Sequence, residues 1–380
     1  MLRWIEAFQG CRHATIFSRL YAVVSGAVGA TFTDEYGRTV LYSANLKLRT
    51  SSLVGSPTNT WVCGFGFQLI NSAVLNTSPT AAPYVGLRVS GGEQLRIEAV
   101  DASDSGKPGG TYYKLRVMRG ATELARTVQR FNGATGTLDQ YRTYFQFKAT
   151  VRTGTNGSFE LKYTTLKDHG TISTATWDAA ATGINTANQG SDGVDRVEIS
   201  FDTGDASDNV AITDFYALDT SGSVNNDYLG MIYCEAMKPD GTGSTMSWTL
   251  AGTATDIEDA LDEPADTQST SEDDKRITSS TVGQVALATM SNLSSKFGTT
   301  PIVGVQVRVY GKMDSTGTRT VDFYYRKTTG TPAETSGGNQ VFSTTAYTGA
   351  AETRETDPNT GAAWVLADLQ GQQMGVKLSA

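Results

Sequence analysis

The sequence predicts an all-β protein in which an antiparallel two-sheet sandwich is followed by a smaller antiparallel β-sandwich domain. Three observations carry this. Charged residues make up 18% of the chain, below the usual quarter, while glycine reaches 40 residues, a profile of short strands and tight turns and not of surface helices. Short apolar runs with period-two alternation recur along the chain, each closed by Gly, Asn, Asp or Ser. At 380 residues the chain exceeds what one hydrophobic core usually serves, which predicts two domains.

The N-terminal stretch carries early basic residues and an apolar run from Tyr21 to Ala30, in the manner of a leader. Glu6, Gln9, Arg12, His13, Ser18 and Arg19 interrupt it, and no run nears the roughly 20 apolar residues of a membrane span. It is read as part of the fold, with no membrane partner. Val40 to Leu48 alternates as one strand. Trp61 to Ile70 is apolar on both parities and reads as a central strand. Tyr84–Val89 and Gln94–Val100 form a hairpin about Gly91-Gly92, and Tyr112–Met118 pairs with Glu123–Arg130 about Arg119-Gly120. Tyr141 to Thr153 and Ser158 to Leu166 form another hairpin, and Val194–Phe201 and Ala211–Leu218 complete the first sandwich.

Between Trp248 and Thr281 the composition turns acidic and rich in Thr and Ser, so this stretch is expected to run as an exposed arm. Order returns at Val282. Gly304–Met313 and Thr318–Thr328 alternate about Asp314-Ser315-Thr316-Gly317 as a hairpin. Ala346–Glu352 and Gly371–Leu378 close the domain. Ala362 to Leu369 suggests a helical turn burying Trp364, Val365 and Leu369.

Several of these segments carry a resemblance. Asp219 to Gly230, followed by Pro239-Asp240-Gly241 and Trp248, resembles the junction in structural proteins of tailed bacteriophage particles, where a concanavalin-like jelly roll precedes a small β domain. Ser247–Gly252, Asp262-Glu263, Thr270–Asp274, Gly304–Thr320 and Glu355–Trp364 extend it through the last third. The Tyr141–Leu166 hairpin is similar to one in glycan-binding and laminin-G-like jelly rolls, with Tyr141 or Tyr144 in place of a Trp and Phe145, Phe147 and Lys148 following. The resemblance implies a jelly-roll sandwich over 1–229, a junction and acidic arm over 230–281, and a C-terminal β domain over 282–380. It also implies a virion component, assembled in the host cytoplasm with other phage structural proteins as a homo-oligomer or multicopy assembly.

The inventory for chemistry is thin. The net charge is −8, with no basic stripe, so direct nucleic-acid binding is not expected. Cys11, Cys63 and Cys234 are too scattered for a disulfide framework or a zinc site and are expected as small buried groups. The two histidines, His13 and His169, lack metalloprotease spacing, and no serine sits in a nucleophile elbow. Jelly rolls host glucanases with an E-x-D-x-x-E strand, absent here. Glu98 with Asp101, and Asp195 with Glu198, are spaced by three, which puts each pair on opposite sheet faces. The chain is therefore expected not to be an enzyme.

Two binding features remain. The run from Asp202 to Asn209 gathers oxygen donors at Asp202, Asp205, Asp208 and Asn209, as calcium favours, and as ordinary turns also do. The jelly-roll resemblance favours calcium there. Tyr84, Tyr112, Tyr113, Tyr141 and Tyr144 are candidates for stacking on a sugar, or for packing within a sheet. The leading expectation is thus a non-enzymatic particle component, and its alternative a glycan-binding adhesion module for a host surface saccharide.

Overall fold

The computed structural model describes residues 1–6, 21–25, 31–33, 39–43, 45–70, 82–90, 92–101, 112–129, 131–132, 143–165, 178–202, 209–261, 275–293, 301–315, 317–327, 333–343, 347–370 and 372–380. Two units divide the chain, Met1–Cys234 and Glu235–Ala380. The strands of the first are β1 Leu2–Glu6, β2 Tyr21–Ser25, β3 Thr31–Thr33, β4 Thr39–Ser43, β5 Lys47–Thr50, β6 Thr60–Ile70, β7 Tyr84–Val89 and β8 Gly92–Asp101, followed by β9 Tyr112–Arg119, β10 Thr122–Arg126, β11 Phe131–Asn132, β12 Thr143–Thr150, β13 Gly157–Thr165, β14 Ala179–Ile184, β15 Arg196–Ser200 and β16 Asn209–Asp219. The second holds β17 Pro239–Met246, β18 Thr249–Gly252, α1 Ile257–Leu261, β19 Lys275–Thr278, β20 Val285–Met290, β21 Val305–Gly311, β22 Arg319–Lys327, β23 Ala333–Phe342, β24 Thr348–Arg354, α2 Leu366–Gln370 and β25 Gln372–Leu378.

In the first unit, one sheet runs β14-β13-β12-β6-β16-β4-β3, with β1 also on β16, and the other runs β10-β9-β8-β7-β15-β5-β2, with β11 on β9. All pairings are antiparallel, as expected of a two-sheet jelly roll. β6 is the central strand its two-sided apolarity predicted, flanked by β12 in unbroken register and by β16 with one shift. Between the sheets, Phe67 of the first meets Tyr113 of the second, which meets Phe131 of β11, and Phe131 meets Phe145, which meets Phe65, in tilted and edge-on ring contacts. The expected strand Val40–Leu48 is two strands in different sheets. The break falls at Ser43, whose Oγ accepts from the Leu46 N–H at 3.2 Å and turns the chain across the sandwich.

Part of the outer face of the first sheet, over β6, β12 and β16, is covered by its own chain. β16 bulges between Thr213 and Tyr216, where Asp214 takes a left-handed φ of 48° and is buried. Its carboxylate accepts from the Cys234 N–H at 2.8 Å, and its carbonyl accepts from the Tyr144 hydroxyl at 3.1 Å. Tyr216 lies over Gly64 and donates to Gln146 Oε1, which also accepts from the Gly230 N–H at 2.7 Å. Residues Leu229 to Cys234 thus form a strap over β6 and β12.

In the second unit, β17-β20-β25-β22-β23 form one sheet, and β21-β24 a ribbon packed on it. Val305, Val307 and Val309 of β21 rest on Phe323, Tyr325, Trp364, Leu369 and Met374, giving a small antiparallel sandwich. The expected hairpin of β21 with β22 does not form. The two strands lie in different sheets, where β22 buries Val321, Phe323 and Tyr325 and β21 packs its half-buried valines against that core. The segment Glu355–Trp364 is a tight turn. Asp357, fully buried, accepts from the Asn359 N–H at 2.9 Å, Thr360 Oγ1 at 3.2 Å and Gln372 Nε2 at 3.2 Å, while Trp364 donates to the Arg354 carbonyl. Trp364 and Leu369 are buried as expected, whereas Val365 is 51% exposed because it faces away from the Trp364 cluster. The stretch expected as a free-standing junction and arm is partly ordered within this unit: β18 pairs with β19, and α1 buries Ile257 and Ala260. Most of its acidic run, 262–274, lies outside the described residues.

Candidate functional site

The outer face of the second sheet is built by period-two alternation. On β7, β8, β9 and β15, Val85, Leu87, Leu95, Ile97, Leu115, Val117, Val197 and Ile199 point into the core, so the intervening residues face out. Register then sets two rows across five strands: Arg49, Glu198, Gly86, Arg96 and Met118, and beside it Lys47, Ser200, Tyr84, Glu98 and Arg116. The first row has a gap at its centre, because Gly86 has no side chain. A Cβ there would sit 3.3 Å from the Tyr84 ring, so the glycine is the floor on which the ring rests.

Two carboxylates anchor this face. Glu198, 1% exposed, accepts from Arg49 Nε at 2.7 Å, from Arg88 Nη1 at 3.1 Å, and from the Tyr84 hydroxyl. Glu98, 2% exposed, is gripped by Arg96 and Arg116, and Arg96 also holds Glu93 and the Gly120 carbonyl. Each buried carboxylate thus has two guanidinium partners to satisfy its oxygens. The Lys47 ammonium and Arg96 guanidinium lie 5.4 and 6.0 Å from the Tyr84 ring centre. Burial, followed by the charge of Glu198, holds the Tyr84 phenol above its ordinary range, so it is a proton-bearing donor at neutral pH. Burial also raises Glu93 against the pull of Arg96.

The residues singled out from the sequence fall in different places. Of the five tyrosines, Tyr84 is on this face, Tyr113 is in the core, and Tyr144 is sealed beneath the strap. The Tyr112 side chain and Tyr141 lie outside the described residues. Glu98 and Glu198, considered in separate pairs, come together on one face either side of β7; Asp195 instead forms a forked pair with Arg196 at 2.8 Å. Of the candidate calcium ligands, Asp202 is half-buried after β15, while Asp205, Asp208 and the Asn209 side chain lie outside the described residues, as do His13, His169 and Cys11. Cys63 and Cys234 are buried, and burial pushes the Cys63 thiol well up. The arginines were missed. Their signal was present as charge at every second position, Arg96 and Glu98 on one strand and Lys114 and Arg116 on the next, but only the register makes a site of them.

No family model matches the chain, and no curated protein matches it. Several solved structures are similar to part of the chain. Alginate lyase Aly36B is 8% identical, with a TM-score of 0.34, covering 57% of this chain and 93% of its own. An endo-β-1,4-glucuronan lyase from the fungus Trichoderma reesei is 10% identical, with a TM-score of 0.33, covering 57% and 95%. The VIP36 exoplasmic/lumenal domain, solved with Ca2+ and Man3GlcNAc bound, is 12% identical, with a TM-score of 0.28, covering 55% and 87%. At these identities and TM-scores the likeness transfers no residue roles. It does correct one expectation. The chain was expected not to be an enzyme, and the structures it resembles include two polysaccharide lyases, so that exclusion is withdrawn.

Proposed function

We propose that the N-terminal unit is a glycan-binding module that takes a saccharide on the outer face of its second sheet, around Tyr84. One observation carries the reading. On the opposite sheet the Leu229–Cys234 strap lies over β6 and β12, whereas this face presents a half-buried aromatic ring seated on Gly86 and ringed by fixed hydrogen-bonding groups. An aromatic ring supplies the apolar surface that a sugar face stacks on, and oriented polar groups supply selectivity among hydroxyls. A glycan array with and without chelator tests this. Tyr84→Ala is expected to abolish the signal, and an unchanged array would refute the proposal. The chelator arm tests calcium at Asp202, Asp205, Asp208 and Asn209, where binding that survives chelation removes the metal from the account.

A second reading rests on the segments Gly304–Thr320 and Glu355–Trp364 and their resemblance to tailed-phage structural proteins. On it, the protein is a multicopy part of a phage particle, and the sandwich presents its face to a host surface saccharide. Mass spectrometry of purified particles tests it, since a building block is present at fixed copy number and a non-structural protein is absent.

A further inference from the structure

The charge on the Tyr84 face narrows the ligand. We propose, building on the glycan-binding reading, that this face selects an anionic saccharide, whose carboxylate or sulfate groups sit on the guanidinium row. Six cations, Lys47, Arg49, Arg88, Arg96, Arg116 and Arg126, stand with four carboxylates, Glu93, Glu98, Glu123 and Glu198, in a chain whose net charge is −8. The excess is therefore local and runs against the chain average.

Burial sharpens the asymmetry. Glu98 and Glu198 are 2% and 1% exposed, while the four arginine side chains paired with them are 11–22% exposed. Solvent meets the cations first. The carboxylates beneath also fix the guanidinium planes, so little side-chain entropy remains to be lost on binding. Arg49 uses Nε and Nη2 on Glu198, which leaves its Nη1 donors for a ligand. A guanidinium edge matches a carboxylate or sulfate through two parallel bonds, whereas a neutral hydroxyl takes only one. A phosphate backbone would need a continuous basic stripe. Here carboxylates interrupt the cations and a single aromatic ring stands where a strand of bases needs several, which favours a saccharide over a nucleic acid.

The test is a binding panel of chain-matched polymers on the intact protein: a neutral glucan, a polyuronate, a sulfated galactan and single-stranded DNA, each at low and high salt. The inference expects the polyuronate or the sulfated chain to bind at least about tenfold more tightly than the glucan, with affinity falling as salt rises. The two anionic arms separate carboxylate from sulfate. Lys47→Gln, which breaks no ion pair among the described residues, is expected to weaken anionic binding about three- to tenfold, and Arg49→Lys, which keeps the charge but loses the fork, to weaken it by a similar factor. Equal, salt-independent binding of glucan and polyuronate would overturn the anionic preference and leave the glycan-binding reading standing. Binding of none of the saccharides would overturn both. Preferential binding of DNA would overturn both in favour of a nucleic-acid ligand.

Discussion

Glu198→Ala is the most informative single change. It removes, from β15, an acceptor shared by Arg49 on β5 and by Arg88 and Tyr84 on β7, the two strands that flank it. Removing one partner of a buried pair typically costs about 3–5 kcal/mol, because the other charge is left uncompensated. Arg49 and Arg88 are 22% and 11% exposed and can recover part of their hydration, so the loss here should be about 2–3 kcal/mol. For a unit of this size that corresponds to roughly 5–10 °C in melting temperature. The assay is urea unfolding of the full chain, read by hydrogen exchange of peptides spanning β5, β7 and β15, which isolates this sheet from the second unit. A loss below about 0.5 kcal/mol, the range of an ordinary surface substitution, would refute the view that Glu198 organises the face.

Other predictions follow from the same geometry. Gly64→Ala places a Cβ 2.1 Å from Tyr216 Cε1 and should cost about 2–4 kcal/mol in urea unfolding by displacing the ring from Gln146 and loosening the strap. Gly375→Ala places a Cβ 1.8 Å from the Ala286 carbonyl oxygen on the neighbouring strand, where the backbone cannot give way. The β20–β25 pairing should weaken by about 2 kcal/mol or more, seen as a shift in the Trp364 fluorescence transition. Although burial raises the Asp219 carboxyl, hydrogen bonds from Ser221 and Arg3 outweigh it and hold the group below its ordinary range. A lowered carboxyl stabilises fully above its unfolded value near pH 4 and loses that contribution as pH falls through its folded value. Urea midpoints measured at pH 7 and pH 3 should therefore drop on acidification, and less so in Asp219→Asn.

The sequence read strands well where they were local hairpins and poorly where pairing was distant. β7–β8, β9–β10 and β12–β13 are closed by short turns, and each was legible from alternation and a glycine. Alternation cannot say which sheet a strand joins. That is why β4 and β5 read as one strand, β21 and β22 read as a hairpin, and β23, with Gly337-Gly338 at its middle, was not read at all. The glycines there leave room for Arg354 and Glu352, a packing demand that leaves no periodic trace. The candidate site failed for the same reason. Tyr84 was named as one tyrosine among five, but its neighbours come from β5, β8, β9 and β15, up to 114 positions away in the case of Glu198.

The most direct measurement of the central claim is saccharide binding by two tyrosine variants, each checked for native circular dichroism. Tyr84 stands on the face assigned to ligand, while Tyr228 lies beneath Lys162 on the other sheet. The account predicts that Tyr84→Ala loses binding and Tyr228→Ala keeps it. Retained binding in Tyr84→Ala, or loss confined to Tyr228→Ala, would contradict it.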